Sequence, residues 1–248
     1  MSQPLIGLGK LLNNSWDAIL KEWKSTLGWT LGAILVPSLI IIIFTIPQFI
    51  QPTSKLNVIL SLAAIIFSSL ASIYFSAGLM RFFLNEKKET SVSLKDVLSI
   101  IWISFLLTIL LVPAFIFLII PGIWLSIALC MSVPIYLKEG MSGWQAIKHS
   151  YQLTKGRWWA TFLSLFIPGL IYMVGVSIIT NIITGLLLGS FTAVNALTSG
   201  SGMQFGITAI IAAIIAIIIN LFSMIILMIA QISVLTDTYK SLKETYTN

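Results

Sequence analysis

The sequence predicts an all-α integral membrane protein: a bundle of six transmembrane helices with interfacial amphipathic helices on the cytoplasmic side. Three observations predict it. Of 248 residues, 58% are hydrophobic and 9% charged, against about 25% charged in a soluble domain, and the mean hydropathy is +1.02. The charges leave four long uncharged gaps, at 25–54, 56–80, 97–137 and 158–236. Once these gaps are divided into spans, the basic residues fall almost wholly on one side of the membrane.

Each span follows from length. About 20 apolar residues at 1.5 Å each cross a hydrocarbon core of about 30 Å. The first two gaps hold one span apiece, approximately 27–50 and 57–80. The third holds two, 97–120 and 123–137, with the turn expected at Pro121-Gly122. The fourth holds two, 158–188 and 206–235, around the Gly- and Ser-rich stretch 189–206. Six spans put 13 of the 14 basic residues on one face and leave only Lys55 on the other. If either long gap held a single span, every later segment would change sides and the asymmetry would be lost. The positive-inside rule therefore predicts a single membrane domain over 1–248 with both termini in the cytoplasm.

Two further helices are expected at the cytoplasmic surface. Lys10, Asp17, Lys21, Glu22 and Lys24 interrupt the apolar run that a signal peptide requires. The N-terminus reads instead as an interfacial helix over 14–24, capped by Asn14, with Asp17 three residues on. Trp16, Ile19, Leu20, Trp23 and Leu27 share one face of it, and Asp17, Lys21 and Lys24 the other. The second helix covers 142–156, between the fourth and fifth spans. Ser142 and Gln145 form a capping box there, Lys148 and His149 lie on polar positions, and Gly156 closes the C-terminus beside Lys155. Arg157 and Trp158-Trp159 mark re-entry into the membrane.

The chemical inventory is spare. The single cysteine, Cys130, lies in the fourth span, and His149 is the one histidine. No H-E-x-x-H, G-x-S-x-G or P-loop motif occurs. No Asp, Glu, Lys, Arg or His falls inside a span, which argues against a proton relay. We therefore expect no metal, no cofactor and no enzymatic activity; His149 has no identifiable nucleophile or orienting carboxylate beside it. The spans offer small, weakly polar residues instead. Ala64, Ser68, Ser72 and Ser76 recur every four residues, as do Gln204, Thr208, Ala212, Ala216 and Asn220. Such stripes suit close helix packing, and Ser68, Ser72, Ser76 and Asn220 are expected to hydrogen-bond between helices. Pro37, Pro47, Pro113, Pro134 and Pro168 should bend the spans that carry them.

The segments PGIW, VPIYLKEG and SGWQAIKHSYQLTKGRWW, over Pro121 to Trp159, resemble a broad group of bacterial multi-pass proteins. That group is similar to the membrane domain attached to some glycerophosphoryl diester phosphodiesterases. VLTDTYKSLKE near the C-terminus and GLMRFFLNEKK after the second span are similar to parts of the same domain. The resemblance implies a helical bundle of about six spans in the bacterial cytoplasmic membrane, with mostly unassigned function. The chain carries no soluble catalytic domain like that of the enzyme fusions, so the phosphodiesterase activity is not carried over.

These readings lead to a non-enzymatic scaffold or regulatory module. Its partners would be membrane lipids and a membrane or cytoplasmic protein; scattered basic residues do not suit nucleic acid. The alternative is a lipid or amphiphile transporter or an anionic-headgroup-binding protein. In that reading Lys148, Lys155, Arg157 and Arg81 supply the positive charge.

Overall fold

Proline 134 has no N–H to offer the carbonyl four residues earlier, and its ring crowds that carbonyl, so a helix through Cys130 is weakened at that point. The computed structural model breaks the chain there. It describes residues 7–50, 56–85, 90–141, 143–198 and 202–247, which are helices joined by short turns with no strand among them. Eight helices follow in order: α1 Leu8–Ile50, α2 Leu56–Leu84, α3 Leu94–Phe117, α4 Ile119–Leu129, α5 Ser132–Glu139, α6 Trp144–Thr154, α7 Trp158–Thr198 and α8 Gly202–Thr247. Among the described residues, six segments are long and apolar enough to cross a membrane: Leu8–Pro47, Leu56–Leu84, Leu94–Ile116, Ile119–Glu139, Trp158–Leu187 and Ile210–Tyr246.

The break between α4 and α5 is held open by α6. Ser150, fully buried, donates its hydroxyl to Ala128 O at 2.9 Å and accepts from the Met131 N–H at 3.2 Å. Thr154 Oγ1 also donates to Ala128 O, at 3.1 Å. Backbone groups released by the broken helix thus find side-chain partners, as buried groups must. The prolines inside α1, α3 and α7 leave those helices continuous.

Packing is concentrated at one end of the molecule. The larger core joins Met80 and Leu84 of α2, Ile100 and Ile103 of α3, Met131 and Ile135 around α5, Ile147 and Leu153 of α6, and Tyr239 and Leu242 of α8. A smaller core joins Ile19 of α1, Tyr172 of α7 and Ile229 of α8. We call this the capped end, because it gathers α5, α6, the start of α7 and the end of α8. Away from it the helices run in pairs, α1 with α2 and α7 with α8, with α8 also against α1. Gly78 lets α2 approach α1: a Cβ there would lie 2.2 Å from the Trp29 ring. The outward faces carry large apolar side chains such as Ile43, Ile66, Ile179 and Ile218, each more than half exposed.

Four sequence expectations change. The turn between the third and fourth spans falls at Leu118, extended at φ −158° and ψ 128°, not at Pro121-Gly122. Pro121 is instead the third residue of α4, where an N–H would have no partner within the helix. Gly122 receives the Phe115 ring, which a Cβ would meet at 2.5 Å. The helix expected over 14–24 is not separate, because α1 runs without interruption from Leu8. Asn14 does not cap; its amide donates to Asp237 Oδ2 at 3.0 Å. Within the expected apolar face, Ile19 is buried while Trp16, Leu20 and Trp23 are exposed. The stretch 189–206 is mostly helical, since α7 reaches Thr198 and α8 starts at Gly202. Nothing in 189–198 requires a break, and the Pro-free run continues the α7 ladder. The fourth span is two helices rather than one bent helix. Ser142, expected to cap α6, lies outside the described residues; Gly143 precedes the helix with no side-chain cap.

Removing the hydroxyl of Ser150 isolates the Met131 N–H while leaving Ala128 O bonded to Thr154. Ser150→Ala should lower stability by about 1–3 kcal/mol, read as a reduced midpoint in thermal unfolding of the detergent-solubilised chain. A midpoint equal to that of the parent would mean that the break does not depend on α6.

Candidate functional site

The capped end brings together nearly all the ionisable side chains that enter the protein. Ser93 begins α3 with a reciprocal capping box: its hydroxyl accepts from the Asp96 N–H, and the Asp96 carboxylate accepts from the Ser93 N–H at 2.8 Å. This fixes Asp96 at the first turn of α3, where the helix dipole favours an anion. Arg81, in the last turn of α2, donates to Asp96 Oδ1 at 2.9 Å and also to Ser91 O. Tyr136 of α5 donates its phenol to the same Oδ1 at 2.9 Å. One carboxylate therefore joins three helices.

A second carboxylate does the same at the end of α5. Glu139 Oε1 accepts from the Tyr239 phenol and from Lys243 Nζ at 3.0 Å, both on α8. Its other oxygen lies 3.7 Å from His149 Nε2 on α6. The His149 ring in turn meets Tyr246 edge to face, with centroids 5.9 Å apart. His149 thus sits inside a structural cluster whose carboxylate already binds a phenol and an ammonium.

Other cations cap helix C-termini. Lys240 donates to Phe83 O at 2.8 Å and Lys138 to Leu84 O at 3.0 Å, which satisfies the last carbonyls of α2. Arg157 binds the Thr245 carbonyl at 2.9 Å, and its hydroxyl as well, near the end of α8.

Of the four residues expected to bind headgroups, the structure separates two pairs. Arg81 and Arg157 are committed to Asp96 and Thr245. Lys148 and Lys155 are exposed. They stand on α6 and just after it, with Trp144 and Tyr151 at helical spacing, 58% and 37% exposed. The opposite face of α6, carrying Ala146, Ile147, Ser150, Leu153 and Thr154, is buried. Gly156, with φ 79°, turns the chain into α7, and Trp158 Nε1 there donates to Trp124 O at 2.9 Å. Tyr151 packs edge-on against Trp124 at 5.9 Å. The result is a stripe of two lysines flanked by Trp144, Tyr151, Trp124, Trp158 and Trp159.

Of the expected interhelical residues, Ser68 is buried and bonds Ile65 O of its own helix, while Ser72 and Ser76 are half-buried. Asn220 is exposed and donates to Ala216 O of its own helix at 2.8 Å. The hydroxyl pair that does link two helices near that level is Thr180 of α7 with Ser223 of α8, at 2.6 Å. Sequence reasoning missed Asp96 and Glu139. The spacing of Ser93 and Asp96 was a readable signal for the first; Glu139 had none, because its partners lie 10 and about 100 residues away.

No family model, curated protein or solved structure matches this chain. Among the described residues no cluster of His, Cys, Asp and Glu could hold a metal ion.

The arrangement makes Arg81 and Asp96 energetically coupled. Arg81→Ala, Asp96→Asn and the double variant should give a thermal double-mutant cycle with a coupling of about 1–3 kcal/mol. Additive losses would show that the pair contributes nothing beyond its separate packing.

Proposed function

We propose that this chain is a non-enzymatic, multi-pass protein of the bacterial cytoplasmic membrane whose capped end lies at the cytoplasmic surface and holds anionic lipid headgroups. Both termini lie on that side, which the basic-residue asymmetry supports. The observation that carries the reading is the α6 face. Lys148 and Lys155 project outward seven residues apart, about two helical turns, while neighbouring cations are spent on helix ends and ion pairs. Trp144, Tyr151, Trp158 and Trp159 beside them match the aromatic belt at headgroup depth. With its buried side against α4 and α5, α6 works as an amphipathic surface helix, and a lysine there gains about 1 kcal/mol from an anionic surface. Lipid retained at this stripe would anchor the cap, as befits a scaffold or regulatory module.

The separation of the two cation pairs gives a test. Lys148→Gln with Lys155→Gln should weaken retention of phosphatidylglycerol relative to phosphatidylcholine by about 25-fold, roughly fivefold per lysine, counted by native mass spectrometry of the purified chain. Unfolding should be unaffected. Arg157→Gln should do the reverse, lowering the unfolding midpoint while leaving lipid preference intact. Equal lipid preference in the lysine double variant and the parent would remove the stripe from the function.

A further inference from the structure

Two amides stand on the outward surface of α7 and α8 with only their own helices to bond. Asn181 donates to Ser177 O at 2.7 Å, and Asn220 donates to Ala216 O at 2.8 Å. Both residues are exposed. An amide also has a second N–H and an oxygen with two lone pairs. Among the described residues, neither Oδ1 accepts a hydrogen bond.

The two amides share a level and a face. Thr180 and Ser223, bonded hydroxyl to hydroxyl at 2.6 Å, tie α7 to α8 beside them. Asn181 follows Thr180 by one residue, and Asn220 precedes Ser223 by three. The helices are antiparallel, so both steps lead away from the capped end, and the amides differ in height by about 3 Å. Their face follows from α1. Tyr172 of α7 bonds Ser15 of α1 at 2.8 Å, and Ile229 of α8 packs with Ala18 and Ile19 of α1. Asn181 comes nine residues after Tyr172, and Asn220 nine before Ile229. Nine residues make about two and a half turns, so each amide stands on the side of its helix opposite α1. Ile179 and Phe222, two residues from Asn181 and Asn220, line an apolar groove on the reverse side.

In a membrane, lipid surrounds both amides. Ile178 and Ile182 near Asn181, and Ile217 one turn from Asn220, are more than half exposed. Asn220 stands 10 residues from Ile210, where its apolar segment begins, and 17 from Asp237. Those distances are about 15 Å and 25 Å along the helix. Acyl chains hold no donor or acceptor, so the free amide groups go unsatisfied there unless protein meets them.

A second copy of this chain meets that demand. It inserts in the same orientation, so a two-fold axis along the membrane normal sets its amides at the same height, facing these. An amide is donor and acceptor at once, and what one copy donates the other returns. Close approach is open on α7: Gly185, one turn beyond Asn181, has nothing within 4 Å of the place a Cβ would take. We propose that the face carrying Asn181 and Asn220 is the contact surface of a homodimer inside the membrane, the amides of one copy hydrogen-bonded to those of its partner. The inference rests on the membrane reading above but not on headgroup binding.

The test uses the full chain with Cys130→Ala as background, in carbonate-washed membranes. Met224→Cys lies one turn from Asn220 on the amide face and is exposed; oxidation with copper phenanthroline should link it into a dimer. Phe222→Cys, on the groove side, should stay monomeric. In liposomes, Asn181→Leu with Asn220→Leu should weaken dimerisation about tenfold, read as the protein-to-lipid ratio at half-maximal energy transfer between labelled copies. Asn181→Gln with Asn220→Gln keeps the amides and should stay close to the parent. The thermal midpoint of the Leu double variant in detergent should not move, which guards against a misfolded variant. A parent that is monomeric at every ratio, equal cross-linking at both cysteines, or unchanged dimerisation in the Leu double variant would each overturn the proposal. So would a cross-linked product whose mass is not that of two chains. If the carbonate wash releases the chain, the membrane reading fails first, and the dimer surface with it.

Discussion

A broken helix leaves buried backbone groups without partners, and the architecture turns on how this chain answers that constraint between Ala128 and Pro134. Three other helices carry prolines in their interiors and continue. At Cys130-Met131, just before Pro134, the helix separates, and Ser150 and Thr154 of α6 bind the released Ala128 O and Met131 N–H. The break lets α5 lie within the cap, where Ile135, Tyr136 and Leu137 are buried. With α5 in place, Tyr136 can reach Asp96 and Glu139 can reach α8. The polar contacts of α6 and the ionic contacts of α5 thus depend on each other.

Charge at the capped end does two kinds of work. Asp96 accepts from Arg81 of α2, Tyr136 of α5 and its own cap Ser93, and Glu139 accepts from Tyr239 and Lys243 of α8 with His149 of α6 beside it. Lys138, Lys240 and Arg157 neutralise carbonyls at helix ends. These contacts substitute for an extended apolar core, which the chain does not build along most of its length; its long helices present isoleucine and leucine outward. Lys148 and Lys155 take no part in those contacts and remain exposed beside the rings of Trp144 and Tyr151.

Much of the fold was legible from the chain alone. Uncharged gaps located the apolar segments, and helix boundaries at Trp158 and Gly156 followed from the Lys-Gly-Arg-Trp-Trp run. Local patterns failed where two chemically sensible outcomes compete. Pro121-Gly122 reads as a turn, but proline is equally suited to the first turn of a helix, and the Phe115 ring decides for the latter. Asn14 reads as a cap, but a helix with no breaker before it simply continues, and the amide finds Asp237 instead.

The sequence by itself determined what each segment can be immersed in, because hydropathy and charge are properties of residues and add along a chain. Its charge spacing also leads to the expectation that 13 of the 14 basic residues gather on one side. Tertiary structure alone decided which of them remain outward. Arg157 and Lys155 are two residues apart and chemically alike, yet one is held by Thr245 across 88 residues and the other is exposed. That difference is geometric: an electrostatic partner is chosen by distance in space, and no spacing along the chain records it.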